Sequence, residues 1–371
     1  MKKRKLFIPL LGATTVVASV GTVISCQQPQ NSESQAVVDN LRWNSGVWNT
    51  VSAEKDAMTI NLYNAAKKQF DEMIKQTDIL ELDKVKVEND KVVVSNTSDN
   101  KSIPVVFMDI DETVLNNFAF QNYLVLNKDV YNSKNWNAFI QDKKAIKIAG
   151  AIEFIKYVYS KGGVVMYNSN REQENQLVPT RENLISEGLD AKYLPDWVFW
   201  MQGVDLSKTE APWKHIKKDS NGKRIKSEKE ERMNLVNEKT WDLSEYNGSG
   251  NKISFKTVMR VGDNFDDFND IASGKKLNPE RNKVLNDTGK LFGNFDISVK
   301  GVKYKKNENG QVIKEDETWS ESYVLIGGNS SYGGWESGLA QNFYGIGADK
   351  QVEALTNALK TNLWIPKTPV K

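Results

Sequence analysis

Histidine and cysteine are nearly missing from this chain: one of each in 371 residues. A lone His215 excludes a multi-histidine zinc site, and it excludes a phosphohistidine mechanism that needs a second catalytic histidine. Its setting, Trp213-Lys214-His215-Ile216-Lys217-Lys218, is charged and predicts a solvated surface residue. A lone Cys26 excludes an intrachain disulfide and a cysteine-based zinc cluster. Net charge is small as well, with 50 Lys+Arg against 48 Asp+Glu and a formal charge of +2. Four of the cations are Lys2, Lys3, Arg4 and Lys5, so the balance beyond residue 25 is 46 to 48. A near-neutral body gives no reason to expect a polymeric nucleic acid as partner. Internal repeats are absent, and no second long apolar run follows the N-terminal one. The one excess is tryptophan, ten residues, which invites a search for stacking surfaces.

The first 25 residues read as an address. A basic start is followed by an apolar stretch, Phe7 to Ile24, and no acidic residue precedes Glu33. Val23-Ile24-Ser25-Cys26, followed at once by Gln27-Gln28-Pro29-Gln30-Asn31, resembles a bacterial lipoprotein cleavage box. The resemblance implies a signal peptide over 1–25 and lipidation at Cys26. An uncleaved membrane-spanning anchor is the other reading of the apolar run. Either reading predicts a globular part on the extracytoplasmic face of the cell membrane. Two acyl chains on one cysteine suffice for stable anchoring. Residues 26–44, polar at their start, read as a tether.

The segment Val105-Val106-Phe107-Met108-Asp109-Ile110-Asp111-Glu112-Thr113 carries the most chemistry. Its apolar half reads as a buried parallel strand, which puts both aspartates at the C-terminal end, where open α/β sheets place ligands. Two carboxylates so close repel each other, and a divalent cation offsets the repulsion. Mg²⁺ favours a few carboxylates plus a substrate phosphate, so the pattern points to Mg²⁺-assisted phosphoryl chemistry.

The surrounding pattern predicts an α/β fold: a parallel sheet with helices on both faces. Strands are expected at Val105–Asp109, Val164–Asn168, Trp197–Met201, Val258–Val261 and Tyr323–Ile326. Amphipathic spacing predicts helices over Ala57–Lys75 and around Ile152–Tyr159, the latter stopping at Gly162. Further helices are expected over Thr180–Glu187 and Lys226–Val236, and a small hairpin around Asn89-Asp90. Three stretches read as additions: 115–150 as a cap, 203–225 around Asp219-Ser220-Asn221-Gly222, and a hairpin at 296–318 around Glu308-Asn309-Gly310.

Each strand end offers a group suited to phosphoryl transfer. Strand two ends in Ser169-Asn170-Arg171, where a hydroxyl can donate to a phosphoryl oxygen. Ser227-Glu228-Lys229 follows strand three, with an ammonium able to neutralise developing charge. Strand four ends in Gly262-Asp263-Asn264-Phe265-Asp266-Asp267, where Asp263 can complete a cation site. This ordered set resembles the haloacid-dehalogenase-like phosphatases. Asp109-Ile110-Asp111-Glu112-Thr113-Val114-Leu115-Asn116-Asn117, Ser169-Asn170-Arg171, Ser227-x-Lys229-x-x-Arg232 and Gly262-Asp263-Asn264-Phe265-Asp266-Asp267-Phe268 narrow it to the class C bacterial acid phosphatases, which include the lipoprotein e family of surface 5′-nucleotidases. Asn329-Ser330-Ser331-Tyr332-Gly333-Gly334-Trp335-Glu336 is similar to that family's C-terminal segment.

The resemblance implies a Rossmannoid acid phosphatase domain over 45–371, with a smaller, mainly helical cap. It implies that Asp109 is the nucleophile and that Asp111 is the general acid and then the base. It further implies that Mg²⁺ is held by the Asp109 carboxylate, the Asp111 carbonyl and Asp263. Ser169 and Lys229 steady the phosphoryl group, Asp267 and Asn264 support the site from behind, and Asn170 and Arg171 lie at the substrate. Trp136 and Tyr332 match the two aromatics that sandwich a nucleoside base. The chain departs from the family at Gly327-Gly328, where prolines are usual, at Phe120 for a tyrosine and at Ala149 for a proline. The expected activity is hydrolysis of phosphomonoesters, above all nucleoside 5′-monophosphates. A broad-specificity phosphomonoesterase and a non-catalytic surface binding protein on the same scaffold are the alternatives. The oligomeric state is left open.

Overall fold

The structure is a computed structural model that describes residues 32–76, 85–88, 91–94, 102–243, 252–268, 276–287, 297–306, 308–309, 312–327, 330 and 332–365. Two long helices lead, α1 (Ser32–Val51) and α2 (Ala53–Met73), followed by the hairpin β1 (Val85–Glu88) and β2 (Lys91–Val94). Then come β3 (Ile103–Met108), β4 (Leu115–Asn116), α3 (Phe118–Leu126), α4 (Ser133–Asp142), β5 (Ile146–Lys147), α5 (Ala151–Ser160), β6 (Val164–Tyr167), α6 (Gln173–Ser186) and α7 (Lys229–Asn237). The C-terminal part holds β7 (Thr240–Asp242), β8 (Lys252–Gly262), α8 (Asn278–Asp287), β9 (Ile297–Lys306), β10 (Val312–Leu325), α9 (Gly334–Ser337) and α10 (Ala348–Lys360).

The central sheet runs β6-β3-β8-β10-β9, with β7 on the remaining length of β8. β3 pairs in parallel with β6 and with β8, and β8 in parallel with β10. Every side chain of β3 is buried, as expected for a strand covered on both faces. The register brings Met108 beside Tyr167 and Val261, and Gly262 beside Leu325. All these strands therefore end along one edge of the sheet, and the residues that follow them form the site. α2, α5 and α7 pack against the sheet. α5 ends where Gly162 adopts φ +81°, a conformation only glycine takes freely.

Four sequence expectations need correction. The segment Trp197–Met201 is not a full strand. A short 3₁₀ turn, Asp196–Val198, takes up its first half behind Pro195, and one parallel bridge, Tyr167 to Phe199, joins it to β6. The stretch read as a tether to residue 44 is helical from Ser32, and its earlier part lies outside the described residues. The 296–318 hairpin is not an appendage. Its second strand runs straight into the core position beside β8, so β10 is hairpin and sheet at once. Finally, half of the ten tryptophans serve the core rather than a surface: Trp197, Trp200, Trp213, Trp241 and Trp319 are buried, and Trp200 lies edge-on to both Trp213 and Trp241. His215 is exposed, as its charged surroundings predict.

Candidate active site

Asp109 leaves β3 with its amide still in the sheet, donating to the Val261 carbonyl at 2.9 Å. The backbone then turns sharply. Glu112 adopts φ +58°, and the Leu115 amide returns to the Ile110 carbonyl at 2.8 Å. Thr113 is fully buried under this turn, and its carbonyl accepts the Tyr63 hydroxyl of α2 at 2.7 Å.

Lys229, the first residue of α7, reaches into the same space. Its Nζ donates to Asp109 Oδ1 and to Asp267 Oδ1, each at 2.6 Å. Asp267 is fixed in turn by the Asn264 amide, 2.9 Å from its Oδ2. Gly262 allows this approach, because a Cβ there would meet the Asp267 side chain. Arg260, one strand turn earlier, donates to the Phe268 carbonyl at 2.5 Å and closes the loop from behind. Carboxylate oxygens of Asp109, Asp263 and Asp267 lie within 4.8 Å of one another.

These groups carry more negative than positive charge. Burial is the main cause that pushes Asp109 up to about 7, with Asp267 and Asp111 adding to it and Lys229 opposing. Burial alone would lower Lys229, but Asp109 and Asp267 outweigh it and hold the ammonium protonated. Three carboxylates around one ammonium leave an excess of two negative charges, and every donor is oxygen. Such a set fits a hard divalent cation. Asp267, rather than the side chain of Asp111, is the third carboxylate of the group.

Asp111 turns the other way. Its Oδ1 accepts from Arg171 Nε at 2.9 Å and from Asn117 Nδ2 at 2.8 Å. The remaining guanidinium nitrogens go to Thr180 Oγ1 and Asn117 Oδ1. Arg171 is thus buried and fully engaged, and it orients Asp111 rather than standing open to a substrate. Asn170 is exposed. Ser169 is buried, with its Oγ 3.1 Å from the Arg171 amide, which donates to it. Arg232, quoted above only as part of a motif, supports this strand end. It donates to Asn168 Oδ1 at 2.7 Å and to the Ser227 carbonyl at 2.6 Å. Burial lowers its guanidinium to about 10.

The two candidate stacking rings sit on opposite branches of this network. Trp136 lies in a cluster with Phe120, Tyr131 and Phe139, and the Arg171 guanidinium lies 5.6 Å from its ring centre. Tyr332 donates its hydroxyl to Glu112 Oε1 at 2.9 Å, an oxygen that also accepts the Asn117 amide. Burial pushes Glu112 up to about 7. Gly328, Asn329 and Ser331 lie outside the described residues. Sequence reasoning quoted Glu112, Asn117 and Arg232 within its motifs but assigned them no role in the site. Their place inside the motifs was the available signal.

A family model described as HAD superfamily, subfamily IIIB (acid phosphatase), matches residues 23–290. The chain belongs to this family. It is a phosphoric monoester hydrolase. Its fold is similar to the class C acid phosphatase from Bacillus anthracis, at TM-score 0.56 and 21% identity, over 87% of this chain and 98% of that one. A second structure of that enzyme, with tungstate bound, is similar at TM-score 0.55 and 21% identity, again over 87% of this chain and 98% of that one.

Proposed function

We propose that this acid phosphatase hydrolyses nucleoside 5′-monophosphates at the outer face of the cell membrane, held there by a lipid on Cys26. Asp109 attacks phosphorus and displaces the ester oxygen, and the leaving alcohol takes its proton from Asp111. Asp111 then removes a proton from water, the water attacks phosphorus, and the bond to Asp109 breaks to release phosphate. Arg171 and Asn117 hold one oxygen of Asp111, so its other oxygen is the one that exchanges the proton. Lys229 keeps Asp109 oriented and offsets charge as the phosphoryl group transfers. Asp109, Asp263 and the Asp111 carbonyl are the ligands we assign to Mg²⁺, which when bound would polarise the phosphoryl oxygens. Asp267 anchors Lys229 beside them. No helix among the described residues is long and apolar enough to cross a membrane.

The observation that carries the substrate reading is the linkage of the two rings to one acid. Trp136 reaches Asp111 through Arg171, and Tyr332 reaches it through Glu112, the next residue. Two rings tied to both sides of the proton donor suit a flat base that a ribose joins to the leaving 5′ oxygen. Phosphate release by the full chain in Mg²⁺ tests this, with AMP, nicotinamide mononucleotide, 3′-AMP and p-nitrophenyl phosphate offered in parallel. Preference for the two 5′-nucleotides is expected. Equal turnover of all four would retain the chemistry and refute the nucleotide assignment.

A further inference from the structure

Helix α1 packs one side against α3 and α10, burying Val38, Ser45 and Asn49. Its opposite side is apolar and exposed: Val37 46%, Trp43 47%, Val47 55%, Trp48 41% and Val51 73%. At about 100° per residue these five fall within an arc of about 140°. Asn40 and Asn44 complete that arc. Asp39 and Arg42 fall outside it, and the one charged residue of α1 on it is Glu33, in the first turn. Single exposed apolar residues are ordinary, but a stripe of two tryptophans and three valines from Val37 to Val51, with no charge among them, is a contact surface.

The distance to Cys26 says what covers it. Five residues lie between Cys26 and Ser32, the first residue of α1, a reach of about 20 Å at full extension. A lipid on Cys26 therefore holds the start of α1 within that distance of the headgroups. Tryptophan favours the bilayer interface, and an uncharged apolar helix face can bury itself at the headgroup boundary.

We propose that the exposed face of α1 lies in the interface of the membrane that anchors the protein, so that the enzyme is docked in a fixed orientation rather than swinging on a tether. This rests on the reading of Cys26 as lipidated. α1 is also coupled to the site: the Asn49 carbonyl accepts Asn116 Nδ2 at 3.3 Å, one residue before the Asn117 that holds Asp111. Docking α1 therefore sets how the catalytic edge is presented to the solvent above the bilayer.

The test uses the full chain purified from membranes and returned to phosphatidylcholine–phosphatidylglycerol vesicles. Val47→Cys carries an environment-sensitive fluorophore, and Asn221→Cys, at an exposed turn, is the control. Mass spectrometry reads the lipid on Cys26 separately. The expected result is a blue-shifted probe at 47, quenched by spin-labelled lipid and protected from iodide, with a water-like probe at 221. Equal iodide quenching at both positions on lipidated, vesicle-bound protein overturns the docking while leaving the anchor intact. A probe at 47 that lipid quenchers do not reach, with protection lost on dilution, assigns the face to a second copy and also overturns it. An unlipidated Cys26 fails the anchoring reading and, with it, the argument for α1.

Discussion

Replacing Gly262 by alanine is the most informative single perturbation of the site. Gly262 ends β8 and accepts the Ile326 amide at 2.7 Å, so it cannot move far. An added Cβ would lie no more than 2.5 Å from Asp267 Oδ2, Cβ and Cγ. Asp is too short to swing clear, so its carboxylate has to leave Lys229 and the Asn264 amide. Overpacking costs about 1–3 kcal/mol and each of the two lost hydrogen bonds to a charged group about 1.5–3, so a total of about 4–9 kcal/mol is expected. That is a large share of a typical stability of about 5–15 kcal/mol, so the urea midpoint should fall sharply. Phosphate release should collapse as well, since Lys229 loses its Asp267 partner and Asp263 lies in the displaced loop. Gly327→Ala, with nothing within 4 Å of the new Cβ, is the control and should stay within about 0.5 kcal/mol. In an Asp267→Gly background the cost of Gly262→Ala should nearly vanish. An unchanged urea midpoint, or the same cost in both backgrounds, would refute the reasoning.

Arg260→Met should destabilise by about 3–5 kcal/mol in chemical denaturation, because it leaves Glu321 buried without its ion-pair partner, with Glu321→Gln in the same chain restoring part of the loss. Trp136→Ala should raise KM for a 5′-nucleotide by the about 1–3 kcal/mol of a stacked base while leaving p-nitrophenyl phosphate nearly unaffected; equal effects on both substrates would remove the stacking role. The 203–225 excursion is pinned by Arg224 on Glu172, and that hydrogen bond is the leading cause that lowers the Glu172 carboxyl. A lowered folded value means the pair stabilises above the ordinary value of 4.5 and that this is lost as pH falls through the folded value. Arg224→Ala should therefore cost up to about 1 kcal/mol at pH 7, given partial exposure, and progressively less as pH is lowered below 4.5, read from urea midpoints across that range.

What was legible in the sequence depended on how local the signal was. The buried run Val105–Met108 ahead of Asp109 marked its strand because burial on both faces leaves no polar alternation. The helix spacing over Ala57–Lys75 was found for the same kind of reason. The segment Trp197–Met201 misled, since five apolar residues in a row read as a strand whether they pair along a ladder or fill a core beside one bridge. Asp109, Lys229 and Asp267 were each visible in a motif, but their shared hydrogen bonds join residues 120 and 38 positions apart. Arg171 looked available to a substrate because its partners, Asp111, Asn117 and Thr180, converge only after folding. The hairpin at 296–318 was recognised from its turn, whereas its continuity with the core strand required the register of β10 on β8.

The central claim is that Asp109 is the nucleophile, and Asp109→Asn tests it most directly. The substitution keeps the shape of a side chain that is 6% exposed and keeps an oxygen for Lys229. Phosphate release from AMP in Mg²⁺, measured beside the urea midpoint, should fall to background while the protein stays folded. Turnover close to that of the unaltered chain would contradict the account.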